Sequence, residues 1–291
     1  MTLPTPIVIG LLHPGEMGAA VGQCLTDAGH HVLWASEGRS PQTAARAREA
    51  GLTDVGTSRR LAAEAAAILS VCPPHAALDV AWIVHGFTGL YVDANAISPG
   101  TAREVAQLIA GSGGRYVDGG IIGPPPVTHG STRLYLSGPD AAEVHALFRE
   151  TPLEPRIAAG PDTAASAVKM AYAAWTKGTA ALLLTVRALA QAEGVEDTLL
   201  AEWSLSQPQL ADQFVRAARS AASKGWRWVG EMEEIAQTMA SAGLPDGFHQ
   251  AAAEIYRRCP RLPGTPDSDH VAAAVMAALT GSPHPETTEA G

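Results

Sequence analysis

Up to about residue 160 the chain alternates short apolar, β-branched runs with alanine-rich segments of helical period. The runs IVIGLL, HHVLWA, AAAILSVCP and LYVDANAI are each followed by a helical segment, from about Gly15 and after Pro41, Pro74 and Pro99. Strands this apolar on both faces, separated by segments long enough for a helix, form βαβ units on a parallel sheet with helices covering both sides. RYVDGGII, RLYLSG and PRIAAG continue the strands, with DAAEVHALFRE as a helix between the last two.

Past Gly160 the strand signal stops. Residues 163–193 contain no proline and one glycine, Gly178. A helix over that whole stretch would extend about 45 Å at 1.5 Å per residue, unusually long for a globular domain. Further helices are predicted near 197–206, 208–224, 227–242, 247–258 and 267–280, and residues 281–291 read as a loose tail. The predicted division is therefore an α/β domain over 1–160, an all-helical domain over 161–280, and the tail.

Composition narrows the class. Of 291 residues, 46% are apolar and 17% charged, which excludes a disordered chain. No apolar run reaches the roughly 18 residues a bilayer span needs, so no membrane partner is expected. The start of the chain lacks the basic region and cleavage site of a secretory signal. Cys24, Cys72 and Cys259 form no disulfide or zinc pattern, so a cytoplasmic protein without a metal is expected. A formal net charge of −9 and the absence of a basic cluster argue against nucleic acid as a partner. Lysine is scarce: only Lys169, Lys177 and Lys224 occur.

The segment IVIGLL-HPGEMG-AAVGQCLTDAGHHV reads as strand, turn, helix and second strand, the layout of a dinucleotide-binding turn. Backbone N–H groups at such a helix N-terminus face a pyrophosphate. Gly15 and Gly18 stand at the second and third glycine positions of G-x-G-x-x-G, and His13 stands at the first. His13, Pro14, Gly15, Glu16, Met17 and Gly18 are the candidate cofactor loop. His13 has two readings, a donor to cofactor phosphates and a local cap of the turn, the second being the commoner fate of a loop histidine.

This H-P-G-E-M-G loop, followed by Leu25, Gly29-His30 and Val32, resembles the N-terminal fingerprint of the β-hydroxyacid dehydrogenase family. That family includes 6-phosphogluconate, 3-hydroxyisobutyrate and tartronate semialdehyde reductases. More narrowly, the chain resembles bacterial proteins labelled phosphogluconate dehydrogenases that carry a variant C-terminal domain. The resemblance implies a Rossmann-type doubly wound sheet followed by an all-α domain, and an NAD(P)-dependent oxidoreductase acting on a small molecule.

Cofactor choice turns on WASEGRSPQ after the second strand. Glu37 is the carboxylate an NAD site would use, whereas Ser36, Arg39 and Ser40 suit the 2′-phosphate of NADP. Arg39-Ser40 resembles the family's Asn-Arg-Ser/Thr shifted by a few residues, so NADP is favoured, with NAD as the alternative.

Three later segments resemble the family in order. Cys72-Pro73 correspond to the residues bordering the cofactor after the fourth strand. Asn95 and Ala96 replace the hydroxyl residues of Asp-x-Ser-Thr. Asp118 and Gly123 match the substrate segment Asp-x-Pro-Val-Ser-Gly-Gly, where Ile122 replaces the serine and Pro124 the second glycine. The resemblance makes Asp118, Ile122 and Gly123 substrate candidates in a pocket less polar than a carboxylate site requires. In the C-terminal half, Trp228 and Glu231 align loosely with the family's active-site Lys-Asp segment, though aromatic stripes at helical spacing are more often core or dimer contact.

On the long helix, Lys169, Tyr172 and Thr176 fall at i, i+3 and i+7, one stripe, with Lys177 at i+8. The family pattern Gly-x8-Lys-x-x-Asn-Asn puts its catalytic lysine on Lys169 and its first asparagine on Tyr172. Reducing a carbonyl needs a proton donor beside the oxygen, and an ammonium supplies the proton and stabilises the developing charge. A helix lysine is ordinarily a solvated surface group, but this one has the apolar neighbours Val168, Met170 and Ala171. An imine reductase is the alternative, disfavoured by the lysine. A non-catalytic dinucleotide-binding protein is the other. A helix of this length also needs more apolar cover than a domain of about 120 residues supplies alone, which predicts a homodimer.

Overall fold

In β1 (Val8–Leu12) Ile9 and Leu11 turn to one side of the sheet and Leu12 to the other, with every one of the three buried. Both faces are thus apolar, and helices are required over each. The computed structural model describes residues 6–262 and 268–281. α1 (Glu16–Asp27), α2 (Pro41–Glu49) and α6 (Ala141–Leu147) cover one face, and α3 (Ser58–Glu64), α4 (Ala77–Ile83) and α5 (Pro99–Gly111) the other.

The remaining strands are β2 (His31–Trp34), β3 (Thr53–Asp54), β4 (Ala67–Ser70), β5 (Leu90–Asp93), β6 (Arg115–Ile122), β7 (Thr132–Ser137) and β8 (Leu153–Ile157). Their order in the eight-stranded sheet is 3-2-1-4-5-6-7-8. All neighbours pair in parallel except β6 and β7. The chain runs outward from β1 to β3 and then crosses back to β4 on the other side of β1. The ends of β1 and β4 therefore flank the switch point where doubly wound sheets bind ligands. The expected α/β class, with a doubly wound sheet and a helical C-terminal half, is what the structure has.

Register lines up Leu12 with a polar row, Ser70–Asp93–Asp118–Ser137, at the ends of β1, β4, β5 and β7 and in the middle of β6. β8 starts at Leu153 rather than at the Pro155 read from sequence. As an edge strand it pairs only with β7, so a proline lacking N–H is tolerated inside it.

The helical half comprises α7 (Ala164–Ala192), α8 (Glu196–Ser206), α9 (Leu210–Ser241), α10 (Gly247–Arg258) and α11 (Ser268–Thr280). By compactness the chain divides into two units, the first running to Tyr172 and including Gln237–Leu244, the second holding Ala173–Ala236 and the residues from Pro245 onward. Strands end at Ile157, whereas this division falls inside α7. Among the described residues no helix is long and apolar enough to cross a membrane. The tail expected over 281–291 lies, beyond Gly281, outside the described residues.

Two helices expected at 208–224 and 227–242 are a single helix, α9, of 32 residues. Gly225, which falls between the two expected ranges, is buried in mid-helix, where a Cβ would stand 3.4 Å from Cδ1 of Tyr256. Its small size allows α10 to lie close, and no turn is made. Since 3.4 Å is ordinary contact, Gly225→Ala is expected to raise stability by about 0.5–1 kcal/mol through helix propensity alone. A lowered urea midpoint would show that the added methyl crowds Tyr256 instead.

Candidate functional site

β1 ends in a loop whose first residue, His13, has φ +64, the left-handed region that glycine enters without strain. This explains the glycine pattern: the first position of the loop needs that backbone. Gly15 N–H then donates to His13 O at 2.7 Å around Pro14, and α1 begins with no side chain capping it. A Cβ on Gly18 would fall 2.3 Å from His13 O, so the third glycine lets the helix press against the loop. A Cβ on Gly15 would meet nothing within 4 Å. Open space over an uncapped helix N-terminus fits a pyrophosphate, because the first-turn N–H groups have no intrahelical acceptor. Glu16 is exposed and Met17 packs against the first core cluster.

The turn after β2 is held by Asp54, whose Oδ1 accepts from Ser36 N–H at 3.2 Å and Gly56 N–H at 2.8 Å. Sequence reading missed Asp54, which carries no motif signal. Ser40 caps α2 by accepting from Thr43 N–H at 3.2 Å, while Glu37 is exposed. Arg39 turns toward the glycine loop and its Nη1 lies 2.5 Å from Nε2 of His13. Burial first, then the Arg39 charge, pull the His13 pKa down to about 4, so the ring is a neutral acceptor near pH 7.

Next to these loops, Asn95 ties the ends of β4 and β5. Its Oδ1 accepts from Cys72 N–H at 2.5 Å, its Nδ2 donates to Ser70 Oγ at 3.0 Å, and its own N–H donates to Asp93 Oδ1 at 3.0 Å. Burial, helped by Asp93, pushes the Cys72 thiol up to about 12, which leaves it protonated and poorly nucleophilic. Pro73 is exposed beside it.

Of the substrate candidates, Asp118 is fully buried. Its Oδ2 accepts from Ser137 Oγ at 3.0 Å and Ser166 N–H at 2.8 Å, and its Oδ1 from Ser166 Oγ at 2.5 Å. The carboxylate thus secures the first turn of α7 to β6 and β7. Ile122 is buried at the end of β6, and Gly123 has φ +130, with Ser131 O only 2.5 Å from where a Cβ would be. Lys169 stands one turn after Ser166, half-buried. A Cβ on Gly120 of β6 would lie 3.0 Å from the Lys169 Cβ, so this strand glycine admits the lysine-bearing face of α7. Tyr172, one turn further, is 48% exposed.

Trp228 and Glu231 belong to the second unit. Glu231 is buried and ion-paired with Lys177, whose Nζ lies 5.1 Å from the Trp228 ring centre. Tyr256 Oη donates to Lys177 O at 2.6 Å and its ring meets Trp228 edge-on at 5.1 Å. Sequence reading singled out Lys177 and Glu231 separately, and not as partners 54 residues apart.

Residues 190–259 match the family described as Domain of unknown function (DUF1932). No curated protein matches the chain. A conserved protein of unknown function, described as structurally similar to 3-hydroxyacid dehydrogenases, is 27% identical over 94% of this chain and 99% of its own, with a TM-score of 0.66. The Mycobacterium tuberculosis 3-hydroxyisobutyrate dehydrogenase is 18% identical over 94% and 99% of the two chains, TM-score 0.67. A reductive aminase from Aspergillus terreus, solved with NADPH, cyclohexanone and allyl amine, is 20% identical over 88% and 94%, TM-score 0.55. In fold the chain is similar to these solved structures, and residues 190–259 of its helical half match DUF1932, in keeping with the resemblance read from the sequence.

Proposed function

We propose that this protein is an NADP-dependent oxidoreductase that interconverts a hydroxy compound with its ketone or aldehyde. The observation that carries the reading is the loop at the switch point, where the uncapped α1 N-terminus and the open space over Gly15 adjoin Arg39. The backbone N–H groups of residues 15–18 hold the pyrophosphate, and Arg39, with Ser36 and Ser40 beside it, receives the 2′-phosphate. Bound there, the nicotinamide supplies the hydride. Lys169 delivers a proton from Nζ to the carbonyl oxygen and offsets the negative charge that develops on it. Asp118 works at one remove by securing the turn of α7 that precedes Lys169. Buried Ile122, with Pro124 and Pro126 following, supports a substrate that presents apolar surface rather than a carboxylate at this strand end.

Self-association is part of the same reading. Val168, Tyr172, Trp175, Leu182 and Leu189 are exposed on α7 at spacings of four, three, seven and seven, a heptad seam. Trp175 and Leu182 also line a groove of about 820 Å³ with Trp203, Leu210 and Trp228. A second copy of the chain supplies the apolar cover that this face lacks.

A panel of ketones, aldehydes and cyclic imines with NADPH and NADH tests the activity. Turnover of imines alone would replace carbonyl reduction by imine reduction, and binding without turnover of any of them would replace it by a non-catalytic role. Arg39→Ala is expected to weaken NADPH by about 1–3 kcal/mol and leave NADH unchanged, as measured by titration. An equal loss for both would remove Arg39 from phosphate recognition. Lys169→Ala is expected to cut turnover by roughly 10²–10⁴-fold with cofactor affinity intact, while Tyr172→Phe keeps most of the rate. The reverse pattern would assign the proton to the phenol. In sedimentation at micromolar concentration the native chain is expected to be a dimer and Trp175→Glu a monomer, and a native monomer would dismiss the seam.

A further inference from the structure

His13 occupies a backbone position that is unfavourable for it. At φ +64 a residue with a Cβ is disfavoured by about 1–2 kcal/mol, and a glycine would occupy the same position without strain. The side chain has a contact that glycine lacks. Nη1 of Arg39 donates to Nε2 at 2.5 Å, with Nη2 3.4 Å from Nδ1, so the guanidinium lies along the imidazole. The two residues are 26 apart in sequence and follow adjacent parallel strands, β1 and β2.

The chemistry of the acceptor matters. A half-buried arginine is commonly held by a carboxylate, which fixes the fork but cancels its charge. Among the described residues Arg39 makes no ion pair, and its acceptor is an imidazole that burial and the neighbouring guanidinium keep neutral. The fork is fixed and its positive charge remains available to an anion. Arg39 also lies within electrostatic reach of Cys72, across the switch point.

We propose that His13 is a positioning residue for cofactor selection: it takes the place of the loop's first glycine in order to hold the Arg39 guanidinium, uncompensated, for the 2′-phosphate of the cofactor. This rests on the NADP reading above and assigns the part of the loop that reading leaves unexplained. Two probes isolate it from catalysis, adenosine 2′,5′-bisphosphate and adenosine 5′-monophosphate, which differ only in the 2′-phosphate and carry no nicotinamide.

Calorimetric titration of the full-length native protein should show tighter binding of the bisphosphate. His13→Gly should lower bisphosphate affinity by about tenfold, the scale of one charge-assisted hydrogen bond, and leave the monophosphate unchanged. His13→Gln, which presents a neutral oxygen at the reach of Nε2, should retain most of the preference. In the Arg39→Ala background His13→Gly should have no further effect. Undiminished preference in His13→Gly overturns the proposal, as does an equal loss for both ligands, which would give His13 a purely structural role in the loop. A native protein that does not discriminate between the two ligands overturns the NADP reading itself, and the inference with it.

Discussion

One buried carboxylate fixes the relation between the sheet and the helix that follows it. Asp118 sits in the middle of β6 with no exposure, and it accepts from Ser137 on β7 and from both the backbone and the hydroxyl of Ser166 on α7. A charge taken out of water is costly unless several donors surround it. Burial still dominates, raising the Asp118 pKa above 3.8 despite those donors. A raised carboxylate pKa means that this group favours folding most when protonated, below its unfolded value. Its contribution then falls as pH rises from there through the folded value. The interaction therefore adds geometry more than net stability. It sets the first turn of α7, and with it the place of Lys169 one turn on.

The loop after β1 shows the same trade between strain and placement at smaller scale. Gly18 is needed because the helix and the loop carbonyl approach too closely for any side chain, whereas a Cβ on Gly15 would meet only open space. The first position needs only a left-handed backbone, which a histidine can adopt at moderate cost. Of the three positions in the pattern, the third excludes a side chain and the first and second leave room for one. Replacing glycine at the first adds an imidazole at the switch point without closing the cradle.

The sheet was legible because its signal is local: apolar runs alternate with helical segments, and β4 and β5 are buried at every residue. α7 was readable to within a residue or two, as thirty residues without proline admit little else. Features set by long-range packing were not. α9 runs on through Gly225-Trp226, where two helices were expected, and the close packing of Tyr256, thirty-one residues on, carries no sequence signal. The antiparallel direction of β7 has no sequence marker, since an apolar strand pairs either way. At the site, the glycine positions and Lys169 carry motif signals. Asp54, Ser137 and Ser166 do not, being ordinary polar residues whose partners lie 18, 19 and 48 residues away. The His13–Arg39 contact was hidden for the same reason: two residues were singled out for separate roles, and the parallel pairing of β1 with β2 brings them together.

The second unit meets a different constraint. Its interior is rich in alanine, with Ala217, Ala218, Ala221 and Ala222 buried on α9 and Ala252 and Ala253 on α10. Small side chains permit close helix approach but specify register weakly, because one alanine replaces another with little change in shape. The Lys177–Glu231 pair, with Trp228 over the ammonium and Tyr256 bonded to the Lys177 carbonyl, adds polar contacts that are satisfied in one alignment of α7, α9 and α10. A buried ion pair of this kind adds little net stability, yet a one-turn slip would leave both charges desolvated and apart, which is strongly unfavourable. The pair therefore selects among alignments that the alanine packing leaves close in energy.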